Sequence, residues 1–360
     1  MNIFITGGAG FIGSNLVRYL AQTACDEYDI QITKIISFDK LTYAGNAANL
    51  DCLLDDKRHV FVKGDICDGA HIAETLRKYE IHTMIHLAAE THVDRSIDTP
   101  EKFINTNVLG TFQLLNAFKE YKNSLSDEQH KGQMRFLHVS TDEVFGSLDT
   151  DDPPFTERTP YRPNSPYSAS KAASDHLVRS FYQTYGLPVI ITHCSNNYGP
   201  FQFPEKLIPL MIQKILKGEC LPVYGDGGNI RDWLYVTDHC RGMVCALISG
   251  RLGESYVIGG KCEMRNIDLI YSLVSLVHEF VPSSANKSAE ELIHFVDDRP
   301  GHDKRYAIDP SYIFEELGWQ PSETLTSGLR KTVEWYINNP QWIKNIESKG
   351  YQGQRLGTTL

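Results

Sequence analysis

The sequence predicts an α/β fold in which a doubly wound parallel sheet is joined to a smaller mixed α/β domain for the substrate. Short continuous apolar runs alternate with stretches of helical periodicity through the first half of the chain, which is typical of parallel strands covered by helices on both faces. A glycine-rich turn at residues 7–13 separates the first apolar run from the first helical stretch. Together these two observations indicate a Rossmann-type sheet.

Each predicted strand follows from a continuous apolar run, and each predicted helix follows from helical periodicity. Strands are predicted at the short apolar runs, residues 3–6, 34–38, 59–63, 83–87, 134–139 and 188–193. Helices are predicted where apolar residues recur every third or fourth position, at residues 11–20, 72–79, 103–121 and 167–185. The polar stretch 124–132 predicts a surface loop.

The alternation ends near Cys194, where prolines and glycines become frequent. Residues 1–193 are therefore predicted to form the first, cofactor-binding domain, with later returns to its sheet near 232–250. Residues 194–360 are predicted to form the second, substrate-binding domain, interleaved with the first.

Composition narrows the class of protein. The chain has 360 residues, of which 41% are hydrophobic, enough to bury a substantial core. Its net charge of -10 argues against general nucleic-acid binding, which needs a basic face. The eight cysteines form no CxxC pair and no cluster with zinc spacing, so we expect reduced thiols, no metal site and a cytoplasmic protein. The sequence shows no signal peptide and no apolar run long enough for a bilayer.

The glycine-rich turn carries a dinucleotide fingerprint. Gly7, Gly10 and Gly13 have the spacing G-x-x-G-x-x-G, a variant of the dinucleotide-binding motif. This motif provides a tight turn, a close approach of the backbone to a pyrophosphate and close packing of helix on strand. The N-terminus of the following helix then offers free N–H groups to the phosphates.

Two acids at the ends of predicted strands extend this site. Asp39 ends the second strand, where a carboxylate binds ribose hydroxyls and repels a 2′-phosphate, so NAD is predicted rather than NADP. Lys40 follows directly and leaves NADP open, because a cation tolerates that phosphate. Asp65 follows the third strand and could reach the adenine amino group, although an isolated Asp there is more often a turn residue.

A tyrosine and a lysine indicate the chemistry. Tyr167 and Lys171 are four residues apart at the start of a predicted helix and so share one face. A nearby ammonium lowers the pKa of a phenol, which can then act as a base near neutral pH. Without other evidence, a Tyr and a Lys at this spacing usually lie on a solvent-exposed face of a helix. Together with the fingerprint, it resembles the short-chain dehydrogenase/reductase superfamily, and the chain length indicates an extended member.

Three polar residues, Thr141, Asp142 and Glu143, follow the strand predicted at 134–139, at the sheet edge where ligands bind. In the superfamily a Ser or Thr here contacts the reacting hydroxyl, and Thr141 is the candidate. Two adjacent acids elsewhere would be solvated loop residues, but here they suit an elimination, with one base and one acid. Both can reach one substrate only if the chain turns after the strand.

A longer set of motifs resembles the dTDP-glucose 4,6-dehydratase family. The resemblance extends from the N-terminus to about Trp335, through segments 6–13, 39–46, 87–96, 140–146, 167–175, 195–200, 204–209 and 298–303. Phe145 replaces the tyrosine usual in the family, and extra residues lie around 25–31 and 124–132. Neither departure touches a proposed catalytic atom.

The resemblance implies an NAD-dependent hydro-lyase that converts dTDP-glucose to dTDP-4-keto-6-deoxyglucose. Tyr167, assisted by Lys171 and Thr141, would take the C4 hydroxyl proton while a hydride passes from C4 to NAD. Glu143 would remove the C5 proton, Asp142 would protonate the leaving C6 hydroxyl, and the hydride would return to C6. A UDP-glucose or GDP-sugar 4,6-dehydratase, a nucleotide-sugar 4-epimerase and a catalytically dead NAD sensor remain alternatives.

The resemblance also implies the remaining contacts and a homodimer paired through the helices at 103–121 and 167–185. The NAD contacts would be Gly7, Gly10, Phe11, Ile12, Gly13, Asp39, Lys40, Thr42, Asp65, Ile66, Leu87, Ala88, Ala89, Thr106, Tyr167, Lys171 and Asn197. Thr106 would also touch the sugar. The substrate contacts would be Thr91, Thr141, Asp142, Glu143, Asn196, Lys206, Leu207, Pro222, Tyr224, Arg231, Asn266, Arg299 and His302. Lys206, Arg231 and Arg299 carry charges suited to a diphosphate.

Overall fold

A computed structural model describes residues 1–284, 286–298 and 301–348. The strands are β1 (Asn2–Thr6), β2 (Lys34–Asp39), β3 (His59–Lys63), β4 (Thr83–His86), β5 (Arg135–Thr141), β6 (Val189–Cys194), β7 (Asn196–Tyr198), β8 (Leu221–Tyr224), β9 (Ile230–Tyr235), β10 (Ser255–Ile258), β11 (Glu263–Arg265) and β12 (Ile293–Val296). The α-helices are α1 (Phe11–Gln22), α2 (Ala24–Tyr28), α3 (Gly69–Lys78), α4 (Val93–Asp98), α5 (Pro100–Phe103), α6 (Thr111–Ser124), α7 (Glu128–Gln133), α8 (Pro166–Tyr185), α9 (Leu207–Lys217), α10 (Val236–Ser249), α11 (Asn266–Phe280), α12 (Ala289–Leu292), α13 (Ser311–Leu317), α14 (Leu325–Asn338) and α15 (Pro340–Glu347). Short 3-10 helices span Ala47–Leu53, Asp142–Phe145 and Pro282–Ser284.

The large sheet positions the site. Within the described ranges, seven parallel strands pair in the order β10-β6-β5-β4-β1-β2-β3. Both faces are buried, since Ile3 and Ile5 of β1 pack into one apolar cluster and Phe4 packs into another. The connections reverse direction between β1 and β4, which is where such sheets bind ligands at their carboxyl ends. The predicted doubly wound fold class is confirmed.

The chain returns to this sheet late. Helix α10 packs against α1, and β10 pairs with β6. The other strands form a small sheet, β11-β9-β7, and a parallel pair, β12-β8, and α9, α11 and α14 surround a separate apolar core. The domain boundary near residue 193 stays a prediction.

Two predicted elements are wrong in detail. The helix predicted at 103–121 is interrupted by a π-helical segment, Ile104–Gly110, between α5 and α6. Its apolar spacing resembles that of an α-helix, so the pattern does not distinguish the two. The loop predicted at 124–132 contains α7, because Asp127 caps it by accepting the N–H groups of Gln129 and His130. No helix in the described part of the chain is long and apolar enough to cross a membrane.

Candidate active site

The turn from β1 to α1 requires glycine at two positions. Gly7 has a φ of +72°, and a Cβ there would lie 2.8 Å from the backbone nitrogen of Ala88. A Cβ on Gly13 would lie 2.0 Å from the carbonyl oxygen of Gly7. These close approaches place the start of α1 against the ends of β1 and β4. Gly10 is the N-cap and provides no side-chain cap, so the first N–H groups of α1 are available to a phosphate.

Two acids lie beside this turn: Asp39, the last residue of β2, and Asp65, which follows β3. The carboxylate of Asp39 accepts the N–H of Ala9 at 3.0 Å and that of Leu41 at 2.7 Å. Burial raises the pKa of Asp39, and these two N–H groups counteract the rise. Lys40 forms an ion pair with Asp65 at 2.6 Å. Because its ammonium already has this partner, Lys40 is poorly placed to compensate a 2′-phosphate, which favours NAD.

The two adjacent acids lie on the turn that an elimination requires. Strand β5 ends at Thr141, which is the N-cap of the 3-10 helix Asp142–Phe145. The Oγ1 atom of Thr141 accepts the N–H of Glu143 at 3.3 Å. Asp142 and Glu143 consequently line the same cavity. Asp142 is buried, whereas Glu143 is only partly buried. Burial, followed by the charges of Glu143 and Asp232, raises the pKa of Asp142 well above its ordinary value. A carboxyl that keeps its proton suits the role of general acid.

Tyr167 and Lys171 lie in the first turns of α8, and both are buried. The ammonium of Lys171 donates to the carbonyl oxygen of Val139 at 2.9 Å, which fixes it against β5. Burial raises the pKa of Tyr167, while a hydrogen bond with Thr141 counteracts the rise. The sequence predicted that Lys171 lowers the pKa of Tyr167. The structure shows the opposite direction, because burial removes the phenol from water and disfavours its charged form.

A second cavity adjoins the first. The two have volumes of about 330 and 250 Å3, and Glu143, Asn196 and Lys206 line both. In the second cavity, the guanidinium of Arg231 lies 4.4 Å from the centre of the Tyr306 ring. Arg231 also donates to the carbonyl oxygen of Asp303 at 2.9 Å. A buried cation oriented in this way is suited to a phosphate group.

The structure brings the predicted site residues together. All of the predicted NAD contacts line the first cavity. Thr141 and Asp142 also line the first cavity, and Thr91, Glu143, Asn196 and Lys206 line both. The substrate contacts that line the second cavity alone are Leu207, Pro222, Tyr224, Arg231, Asn266 and His302. Arg299 lies outside the described residues.

Sequence reasoning missed a group of contacts that joins distant segments beside the first cavity. The guanidinium of Arg95 lies 3.9 Å from the centre of the Tyr43 ring and 3.2 Å from the carboxylate of Glu205. The Tyr43 ring also meets Phe203 edge-on at 5.4 Å. Tyr306, in the second cavity, was missed as well. The motifs at 39–46, 87–96 and 204–209 contain the first three residues, but no local pattern shows that they meet.

The first cavity fits NAD. Gly7 and Gly13 have no Cβ that would clash where the turn closes, and the N-terminus of α1, which has no side-chain cap, lies beside them. The carboxylate of Asp39, at the end of β2, would be the acceptor for the ribose hydroxyls, and Asp65 follows the neighbouring strand β3. The amide of Asn197 is oriented by His239, whose Nδ1 lies 2.9 Å from the amide oxygen.

Known proteins that resemble this chain in sequence and fold include nucleotide-sugar enzymes. The chain matches the GDP-mannose 4,6 dehydratase family over residues 4–332. The dTDP-glucose 4,6-dehydratase of Shigella flexneri is 51% identical, over 98% of this chain and 97% of its own. The dTDP-glucose 4,6-dehydratase DesIV from Streptomyces venezuelae, crystallised with NAD, is 44% identical, with a TM-score of 0.87 over 96% of this chain and 100% of that one. The UDP-glucose 4-epimerase of Thermotoga maritima shares 26% identity and a TM-score of 0.80, over 94% of this chain and 100% of its own.

Proposed function

This chain belongs to the dTDP-glucose 4,6-dehydratase family, and we propose that it converts dTDP-glucose to dTDP-4-keto-6-deoxyglucose with NAD as cofactor. The observation that carries this proposal is the placement of Asp142 and Glu143 on one turn, facing the cavity that Thr141 and Tyr167 also line. Oxidation at a hydroxyl needs one base, whereas elimination of water needs a further base and an acid. An epimerase would not need that second pair.

At C4, the chain supplies a base that its neighbours hold in place. Thr141 and Tyr167 line the same cavity, and Lys171 is anchored to β5. Bound NAD would supply the hydride acceptor for C4, the hydride donor for C6 and a positive nicotinamide charge. Tyr167 takes the proton of the C4 hydroxyl, and the charge of Lys171 favours the resulting phenolate.

Glu143 acts at C5 as the base, and Asp142 acts at C6 as the acid. A ketone at C4 acidifies the C5 proton, which the partly exposed carboxylate of Glu143 removes. Asp142, whose pKa is raised by burial, donates its proton to the C6 hydroxyl, which leaves as water. The different burial of two neighbouring residues thus assigns one to the base and the other to the acid.

The second cavity takes the nucleotide end of the substrate. Arg231 is buried and oriented by backbone carbonyls, and the ammonium of Lys206 lies 3.3 Å from the carbonyl oxygen of Thr91. Pro222 and Tyr224 flank the base. Thymine differs from uracil by one methyl group, which an apolar pocket distinguishes by about 1–3 kcal/mol. The preference for a thymine nucleotide therefore rests on the relatives.

The test is incubation of the purified protein, with no cofactor added, with dTDP-glucose, UDP-glucose and GDP-mannose in separate reactions. Mass spectrometry should show loss of one water from dTDP-glucose, and slower or no loss from the other two. Loss from UDP-glucose at an equal rate would remove the base preference. A galactose nucleotide with unchanged mass would identify an epimerase instead.

We also infer a homodimer in the cytoplasm. The apolar side chains Ile104, Leu109 and Phe112 on the segment from 104 to α6, and Tyr185 at the end of α8, are exposed. These are the two helices predicted to pair, and the Phe112 and Phe181 rings meet across them at 6.3 Å. A second copy packed here would cover this apolar face. The eight cysteines are free thiols, which supports a reducing location.

A further inference from the structure

A buried acid that the proposed chemistry does not use lies behind the reacting side chains. Asp175 is one helical turn beyond Lys171 and two beyond Tyr167, so the three residues share one face of α8. Its side chain is 1% exposed. A carboxylate removed from water in this way is costly unless hydrogen bonds and a positive charge compensate it.

The contacts of Asp175 reach the two strands that flank the catalytic residues. Ser140, next to Thr141 on β5, donates its hydroxyl to Oδ2 at 2.8 Å. Nε2 of His193, on β6, lies 3.1 Å from the same oxygen. Nε2 of His138 lies 3.1 Å from Oδ1 but without the geometry of a hydrogen bond, so we count it as a close polar contact only.

Lys171 is the buried cation of the same helical face, four residues before Asp175. Its ammonium donates to the carbonyl oxygen of Val139 at 2.9 Å, and Val139 precedes Ser140, the residue that donates to Asp175. Burial and the charge of Lys171 lower the pKa of His138 to about 4, so His138 is neutral near pH 7. Burial opposes ionisation of Asp175, yet its polar contacts with His138 and His193 lower the pKa of Asp175. Burial likewise lowers the pKa of Lys171, and Asp175 is the first group that counteracts the fall. The other titratable groups around Lys171 are His86 on β4, His138 on β5, Cys194 on β6 and Tyr167 on α8.

We propose that Asp175 is a positioning residue for the catalytic pair. Its carboxylate keeps Lys171 charged and, through Ser140, fixes the end of β5 that carries Thr141. This inference deepens the proposed function and rests on it, because the charge of Lys171 matters for turnover only if Tyr167 is the base.

The kinetic test compares the wild type with Asp175→Asn, which keeps the shape and removes the charge. Without its counter-charge, Lys171 loses its proton at lower pH. In a plot of kcat against pH, the decline of kcat at alkaline pH (the alkaline limb) should therefore begin about 1–3 pH units lower than in the wild type. The value of KM for dTDP-glucose should change little, because Asp175 is not at the substrate cavity. A purely structural role would lower kcat equally at every pH and leave the limb in place, and that result would overturn the proposal.

Ser140→Ala is the matched control, since it removes a hydrogen bond to Asp175 and leaves the carboxylate charged. Its alkaline limb should coincide with that of the wild type, even if kcat falls. An equal shift in both variants would show that the hydrogen bond, and not the charge, sets the limb, and the proposal would be wrong.

A second measurement covers the case in which Asp175→Asn does not fold, and it needs no turnover. Each single variant, Asp175→Asn or Lys171→Met, leaves one buried charge uncompensated, whereas the double variant removes both. The double variant should therefore have a higher urea midpoint than Asp175→Asn, or fold where that variant does not. Additive losses would contradict the charge pair. If the wild type does not dehydrate dTDP-glucose, the proposed function fails, but this stability cycle still tests the pair.

Discussion

Asp142 and Glu143 are adjacent in the chain but have different surroundings, because β5 ends at Thr141 and the chain turns at once into a 3-10 helix. The turn buries the first acid among other carboxylates and leaves the second partly exposed. Burial and the neighbouring charges raise the pKa of Asp142 well above its ordinary value, whereas the side chain of Glu143 stays partly exposed to water. The proposed division into acid and base follows from this difference.

Glu143→Gln tests the base. Glutamine keeps the size of the side chain but cannot accept the C5 proton, so dehydration should fall by roughly 100- to 10,000-fold. Oxidation at C4 uses other residues and should persist. The measurement is solvent deuterium at C5 by mass spectrometry, together with the absorbance of reduced cofactor. Normal exchange at C5 in the variant would remove Glu143 from this role.

Asp142→Asn should lose activity and gain stability. Because burial raises the folded-state pKa of Asp142 above its unfolded value, the stability linked to its proton is full below about pH 3.9 and is lost as pH rises towards the folded pKa. Asparagine has no such proton to lose. Its free energy of unfolding should therefore exceed that of the wild type by more at pH 8 than at pH 5.

Urea unfolding at pH 5 and pH 8 measures this difference. Asp51→Asn makes the same substitution at an exposed position and is the control for the chemical change itself. A variant at Asp142 that is no more stable than the wild type at pH 8 would contradict the electrostatic account of the acid.

At the scale of secondary-structure elements, the junction of β1, α1 and β4 forms the proposed cofactor site. Gly7 and Gly13 let the helix start against the sheet edge, and no larger residue fits at Gly13 without moving the backbone. The position of the phosphate-binding helix end thus depends on the absence of one methyl group.

Gly13→Ala should disrupt this junction. The added Cβ would lie 2.0 Å from the carbonyl oxygen of Gly7, so the start of α1 must shift. We expect the variant to purify with less NAD and to unfold at a lower temperature. Gly132→Ala is the control, since a Cβ there meets nothing within 4 Å, and it should be neutral or stabilise by about 0.5–1 kcal/mol. Unchanged NAD content in Gly13→Ala would contradict this account of the turn.

The sequence predicted six of the seven strands described in the large sheet, because they are short, mainly apolar runs, as at β1. It did not predict β10, which joins the sheet late in the chain. It did not predict the π-helical segment Ile104–Gly110, since the apolar spacing barely changes. The motifs predicted residues that line the two cavities, because each motif is a continuous stretch of sequence. The contact of Arg95 with Tyr43 and Glu205 joins three distant segments, and the hydrogen bonds of Asp175 cross two strands, so local patterns could not reveal either.

At the scale of the whole molecule, the exposed apolar residues of the 104–124 region and α8 predict the assembly. Leu109 is 51% exposed, so Leu109→Arg should place charge in the proposed dimer interface and shift the protein towards monomers. Analytical ultracentrifugation measures the change. Leu54→Arg is the control, because Leu54 is 80% exposed and lies outside the proposed interface helices. A dimer that tolerates Leu109→Arg as well as Leu54→Arg would place the interface elsewhere.

The central claim is that one site oxidises C4, eliminates water across C5 and C6 and returns the same hydride to C6. Its most direct test is to incubate the purified protein, without added cofactor, with dTDP-glucose deuterated at C4 and to locate the label by NMR. The account predicts a product that has lost one water and carries the deuterium at C6. Deuterium that stays at C4 of a sugar with unchanged mass, or that is lost to solvent, would contradict it.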